Sequence, residues 1–253
     1  MAEKMEVKWY GVNALEFRAP GVSFMIDPYV SRDRVHLHHP EEVDKYVTSS
    51  PSAVLMTHAH WDHLADMPRI IARTGAILYG SATACNILRS LKVPNANLRV
   101  IHYGEHLELP GGVQVTVVES RHKGMNDEAS GYDAPPPPEA LSQADNWRCG
   151  EVFGFLIRHN GLVIYNVGSA NLLPSAVHGM ECDYLIAGIS RWEDGFPKLL
   201  QDNLRFGCLI PTHHDEFTLP LAQFRLRDDL QRLQAAMPGL PARELPVLQW
   251  VTL

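Results

Sequence analysis

Ala53-Val54-Leu55-Met56-Thr57-His58-Ala59-His60-Trp61-Asp62-His63 is the stretch whose reading decides the fold. Four apolar residues lead into a segment where five of the next seven side chains are polar and three of those are imidazoles. Polar groups buried without partners are costly, and a bound cation is the compensation that this set of groups invites. His58 and His60 stand two apart, so an extended backbone projects them to the same side. Asp62 and His63 follow where the chain must turn and can aim at a neighbouring point. Neutral imidazoles with a carboxylate are the donors that zinc and similar borderline metals accept. A histidine-rich surface turn is the plainer reading, and the apolar run feeding the segment argues against it.

Outward from this stretch, Leu64, Met67, Ile70 and Ile71 fall at helical spacing, which puts His63 at or just before a helix start. A buried strand is expected over 76–79, then a helix over 82–91 capped by Ser81. Upstream, residues 7–11, 14–17 and 22–26 are short β-prone runs divided by Gly and Pro, as in successive antiparallel strands. The third ends in Asp27-Pro28, where the carboxylate can either cap a turn or hold a metal-bound imidazole. His36, His38 and His39 lie in a stretch without clear period and read as solvated loop histidines, and 41–47 reads as a short helix.

Downstream, strands are expected over 98–101, 106–109 and 113–118, the last running into Glu119-Ser120-Arg121-His122. Residues 124–149 contain Pro135 to Pro138 and form a long connection, either a lid or pocket wall or an exposed insertion. His159-Asn160-Gly161 joins 152–157 to 162–165 as a hairpin, and the second of these strands leads to Asn166-Val167-Gly168-Ser169. The continuous apolar runs 184–187 and 208–210 suit the middle of a sheet, and the latter ends at Pro211-Thr212-His213-His214-Asp215. Leu226, Leu230 and Leu233 predict an amphipathic helix with Arg225, Arg227 and Asp228 on its solvated side. A strand over 247–251 ends the chain. Strand-rich halves with helices between and after them suit two sheets face to face with helices outside, an α+β sandwich.

The 253 residues, 45% apolar and 20% charged, are read as a single domain over 1–253. A net charge of −7 gives no broad basic footprint for a polyanion, so a nucleic-acid partner is not expected. The N-terminal residues have no apolar signal region and no stretch is long enough to span a bilayer, which points to a cytoplasmic protein without a membrane partner. Cys85, Cys149, Cys182 and Cys208 are far apart and read as buried free thiols.

With His58, His60, Asp62 and His63 the chain matches the H-x-H-x-D-H signature, and it resembles the metallo-β-lactamase superfamily of metal-dependent hydrolases over nearly its whole length. Gly11 and Asp27-Pro28 look like the start of the branch that contains L-ascorbate phosphate lactonase. His122 at a strand end and the Pro211-Thr212-His213 sequence resemble two further family motifs. The resemblance implies a four-layer αββα sandwich, a first metal on His58, His60 and His122, and a second on Asp62, His63 and His213. It implies one or two Zn²⁺ ions, with Mn²⁺ an alternative, and Asp62 as the catalytic group that orients a water. The sequence departs from the family in two places. Gly168-Ser169-Ala170 stands where the family has G-D-T with a bridging aspartate, which weakens the second site unless His214 or Asp215 compensates. Asn13 stands where the branch often carries a histidine.

The resulting expectation is a hydrolase acting on a small molecule, first a lactone or other acyl ester, with a phosphodiester as runner-up. A non-catalytic metal-binding relative is the competing class, favoured by Ser169. His214 is a candidate for protonating the leaving group, and a homo-oligomer is compatible with the sequence.

Overall fold

The structure, a computed structural model, describes residues 4–124, 130–169 and 171–253; part of the 124–149 connection and Ala170 of the Gly168-Ser169-Ala170 departure lie outside the described residues. The first sheet begins with β1 (Glu6–Trp9), β2 (Leu15–Ala19) and β3 (Val22–Ile26), paired antiparallel in turn. It continues through parallel β4 (Ala53–Leu55), β5 (Ile77–Gly80) and β6 (Leu98–Val100). The second sheet holds β7 (His106–Leu109), β8 (Val113–Glu119), β9 (Phe153–His159), β10 (Leu162–Asn166), β11 (Met180–Gly188) and β12 (Leu204–Thr212) in spatial order of the chain. Its last three strands are parallel. The final strand, β13 (Trp250–Thr252), returns to the open edge of β1.

Helices α1 (Pro40–Tyr46), α2 (Trp61–Leu64), α3 (Met67–Thr74) and α4 (Ala82–Ser90) cover the first sheet. Helices α5 (Pro174–Val177), α6 (Phe196–Asn203) and α7 (Asp229–Ala236) cover the second. Three apolar clusters result. Val54, Met56 and Leu78 pack under α3 and α4. Ala53, Leu55, Phe17 and Phe24 meet Val115, Phe155, Ile186 and Ile210 between the sheets. Leu185, Ala187 and Leu209 pack under α6 and α7. Because alternate residues of β4, β11 and β12 serve different clusters, both faces of these strands are buried, and they read as unbroken apolar runs. This is the expected αββα order of layers.

Local signals account for most elements. Ser81 caps α4, its hydroxyl accepting from the Ala84 N–H at 3.1 Å. Asn160 and Gly161 take positive φ values of 49° and 84°, as a tight hairpin turn between β9 and β10 requires. Three expectations need correction. Leu226 does not belong to the last helix: α7 begins at Asp229, and Leu226 is exposed and bridges Asp215 instead. Arg227 is held by Asp229 and is not solvated on a helix face. The last strand starts only at Trp250, with Val247 making an isolated bridge to Trp9. Among the described residues no helix is long and apolar enough to cross a membrane.

Replacing Ser81 with Ala should destabilise the protein by about 1 kcal/mol, the usual cost of a lost N-cap, read as a lower denaturation midpoint at unchanged slope.

Candidate metal centre

Each histidine-bearing segment leaves the end of a strand. β4 runs into Thr57 and His58, and His60 is the extended residue before α2, with φ −64° and ψ 153°. Two backbone bonds fasten this segment, Phe153 N–H of β9 to Thr57 O at 2.7 Å and Ala59 N–H to Cys149 O of the long connection at 2.9 Å. His122 lies just beyond β8. The rings of His58, His60 and His122 stand 4.8, 4.9 and 4.7 Å apart between centroids, a nearly equilateral group. Gly168, with φ 80°, is required behind them, since a Cβ there would meet the Thr57 side chain at 2.7 Å.

The second group adjoins the first. Asp62 and His63 lie on α2, and the His63 ring is 4.0 Å from that of His58. His213 follows β12 directly, and its Nε2 is 3.3 Å from Asp62 Oδ2. One ligating atom from each of Asp62, His63 and His213 falls within 4.8 Å of the others. His213 has a left-handed backbone, φ 53°, held by its N–H donating to Val12 O at 2.7 Å. The six side chains expected as ligands thus converge on one place from three strand ends.

Behind them, Asp27 is an imidazole acceptor and not merely a turn cap. Its Oδ2 accepts from His63 Nδ1 at 2.8 Å and from Asn13 Nδ2 at 2.8 Å, and its Oδ1 accepts from Thr57 N–H at 2.7 Å. The Thr57 hydroxyl also donates to Asp27 and accepts from His58 Nδ1 at 3.0 Å. These bonds put the proton of both His58 and His63 on Nδ1 and leave each Nε2 lone pair pointing forward. Asn13 is fully buried in this network and accepts from Thr212 Oγ1 at 3.0 Å.

Two expected compensators for the missing bridging carboxylate are elsewhere. Asp215 is a fully buried partner of Arg32 at 2.6 Å and also accepts from Val12 N–H at 3.0 Å. Arg32 spends its other donors on Leu219 O and Glu216 O. This satisfied pair clamps the segment that carries His213. His214 is turned the other way, stacked on Trp9 at 5.1 Å and facing Glu244 at 3.3 Å, so it is no candidate for protonating a leaving group in the cavity. Ser169 does line the cavity, its hydroxyl accepting from Lys123 N–H at 3.3 Å. His36 and His39 pair with Asp33, and His38 with Asp66, within their own neighbourhood. One residue was missed: Cys149 is buried with a donor atom within 4.8 Å of those of His58 and His60. No spacing in the sequence signals it, because only the β9 approach brings it there.

Charge agrees with geometry. Burial, and then repulsion from His63, His60 and His122, pushes His58 well below the usual histidine range. Burial likewise takes His122 down to about 3. Burial alone would raise Asp62, but His63 and His213 hold it well below the ordinary carboxylate range. For His63, burial works downward and is outweighed by Asp27 and Asp62, so its pKa is raised. The centre therefore combines two imidazoles that burial holds neutral, His58 and His122, with an ionised Asp62 and a His63 drawn toward its charged form by Asp27 and Asp62. His58 Nε2 and His213 Nδ1 are buried without a hydrogen-bond partner among the described residues. An orphaned His58 Nε2 among crowded imidazole rings fits a bound cation.

His60, Asp62, His122 and His213 line a cavity of about 680 Å³ together with Trp61, Trp147, Phe217, Lys123, Ser190 and Arg191. The 130–149 part of the long connection is a pocket wall: Leu141, Ala144 and Trp147 enter the core, and Tyr132 is bonded to both Thr83 and Asn146.

The family model described as a beta-lactamase superfamily domain matches residues 23–223. The chain belongs to the metallo-β-lactamase superfamily. It is 29% identical to a UPF0173 metal-dependent hydrolase of Polynucleobacter asymbioticus, over 98% of this chain and 86% of that one. It is 28% identical to a relative with the same description from Pyrobaculum arsenaticum, where the match spans 55% of this chain and only 60% of that protein's length. Among solved structures it is similar to Igni18, a metallo hydrolase from Ignicoccus hospitalis, with TM-score 0.61, 19% identity and coverage of 99% and 98%. That likeness carries the fold alone.

Histidines held neutral bind fewer protons folded than unfolded, so His58 and His122 contribute stability that is complete above about pH 6.5 and is lost as pH falls toward their folded values. His63 works in the opposite sense. Metal-free protein should lose stability between about pH 6.5 and pH 3, and His122→Asn should flatten that slope in denaturant titrations at several pH values.

Proposed function

We propose that this chain is a metal-dependent hydrolase that opens a lactone or another small acyl ester with a water activated at the His58–His213 centre. The observation that carries the reading is the buried, unpartnered Nε2 of His58, ringed by His60, His63 and His122. His58, His60 and His122 would hold one ion and Asp62, His63 and His213 a second. Zinc suits this imidazole-rich donor set, with manganese an alternative. Such a cation supplies Lewis acidity, polarising the ester carbonyl and lowering the pKa of a bound water to about 7.

The protein's own groups do the rest. Asp27 fixes the His63 tautomer directly and that of His58 through Thr57, so the donor atoms are aimed before anything binds. Asp62, ionised and with Oδ2 3.3 Å from His213 Nε2, is the acceptor that would orient the attacking water. Trp61, Trp147 and Phe217 exclude bulk water from one side of the cavity. Ser169 in place of a bridging aspartate leaves the second ion with less negative charge around it, so that ion is the more weakly held. A relative that binds metal without turnover is the alternative that Ser169 favours.

His58→Ala should remove the first metal and abolish turnover in a panel of lactones and esters, and chelation should do the same reversibly in the parent protein. Full activity in that variant would end the proposal, and metal retained by the parent without turnover of any substrate would favour the binder. Ser169→Asp should raise the metal content per chain, measured by elemental analysis; an unchanged stoichiometry would mean that the lost carboxylate is not what weakens the second site.

A further inference from the structure

The loop between β3 and α1 carries a second group of metal-binding side chains, which shares no residue with the centre described above. Asp33, His36 and His39 each offer a donor atom, and these atoms lie within 4.8 Å of one another. His36 Nδ1 stands 2.8 Å and His39 Nε2 3.0 Å from the same oxygen, Asp33 Oδ2. The other oxygen, Oδ1, is taken up by the backbone, accepting from Val35 N–H at 2.7 Å and from His36 N–H at 3.1 Å. The carboxylate is therefore fixed with one oxygen toward the chain and the other toward two imidazoles.

Groups outside the trio hold it in place. Asp66, fully buried, accepts from the backbone N–H groups of Val30 and Ser31 and from the Ser31 hydroxyl, and it bonds His38 Nδ1 at 2.8 Å. These bonds tie the start of the loop to its end, and Ser31 Oγ in turn accepts from His39 N–H at 2.7 Å. Leu37, buried in the core with φ 62°, anchors the stretch between the two histidines. The neighbouring cations are engaged elsewhere, Arg32 by Asp215 and Arg34 by Asp145. His39 also has a carboxylate at each ring nitrogen, Asp33 at Nε2 and Glu41 Oε1 at 3.2 Å from Nδ1. A neutral imidazole carries one N–H, which satisfies one carboxylate and leaves a lone pair facing the other. Protonating the rings resolves this conflict one histidine at a time, whereas a divalent cation between Nε2 and Asp33 resolves it for His36 as well. With its proton on Nδ1 toward Glu41, His39 then has the carboxylate-to-histidine arrangement common among metal ligands.

We propose that Asp33, His36 and His39 form a separate site for a transition-metal cation, Zn²⁺ by its two imidazoles and one carboxylate, with water completing the shell. The three side chains are partly exposed, which leaves room for that water. An ion here braces the loop that carries Arg32, whose pair with Asp215 holds the His213 segment, and Arg34, which lines the cavity. Its role is to stiffen that frame, and it does not depend on what the cavity hydrolyses.

Equilibrium dialysis of the whole protein against zinc at about pH 7.5, above the ordinary histidine range, followed by elemental analysis, tests this. His36→Gln and His39→Gln should each lower the zinc content by one ion per chain. Asp33→Asn, which keeps an oxygen to accept from Val35 and His36 while losing the charge, should do the same. His36 is the safest of the three to replace, because its side chain is 70% exposed. The same loss should appear when His39→Gln is added to His58→Ala, in which the other centre is disabled. Unchanged zinc content in any of the three loop variants overturns the proposal and assigns the cluster to ion pairing between protonated histidines and Asp33. No turnover enters the measurement, so that result leaves the hydrolase reading standing, while an ion that survives His58→Ala and is lost with His39 supports the site whatever the cavity does.

Discussion

The buried carboxylate of Asp27 is the constraint on which the site depends. It sits at the end of β3 in a left-handed conformation, φ 43°, and is shielded completely from solvent. A carboxylate buried in that position survives only if its oxygens are taken up in hydrogen bonds, and Asn13, Thr57 and His63 do this. Each of these bonds also orients something else. Through Thr57 the carboxylate sets His58, directly it sets His63, and through Asn13 it is tied to Thr212, the residue before His213. One charge thereby coordinates β2, β3, β4 and β12 at the point where their ends meet.

The two-layer stacking of sheets makes that meeting possible. Parallel pairing of β3 with β4 and of β10, β11 and β12 delivers several strand ends to one edge of the sandwich. The loops that leave those ends then face each other across the gap between sheets. The clamp of Arg32 on Asp215 and the bond from His213 to Val12 work on the same principle, holding a strained ligand loop by satisfied buried charge. Rigid surroundings explain how crowded imidazoles stay gathered about a common point without relaxing into hydrogen bonds with one another.

The same scaffold separates duties around the cavity. The first sheet and α2 contribute most of the imidazoles, the long connection contributes Trp147, and the turn after β11 with α7 contributes the cations. Loops therefore supply much of the cavity's lining, while the imidazoles stand at strand ends.

Much of this was legible in the sequence, because it is encoded locally. The spacing of His58, His60, Asp62 and His63 fixes which side chains share a direction, and apolar runs bounded by turns fix the strands, since backbone geometry alone sets those periods. Ser81 and Asn160-Gly161 announce a cap and a turn for the same reason. What the tertiary structure alone decided concerns contacts between residues far apart in the chain. Asp215 and His214 carry the right chemistry for the cavity, yet Arg32 and Trp9 claim them; Cys149 has no signal in its neighbours, yet β9 brings it to His58; and Arg227, polar and beside a helix, turns inward to Asp229. Which partner a charged or polar side chain finds depends on where other strands end, and no local period carries that information.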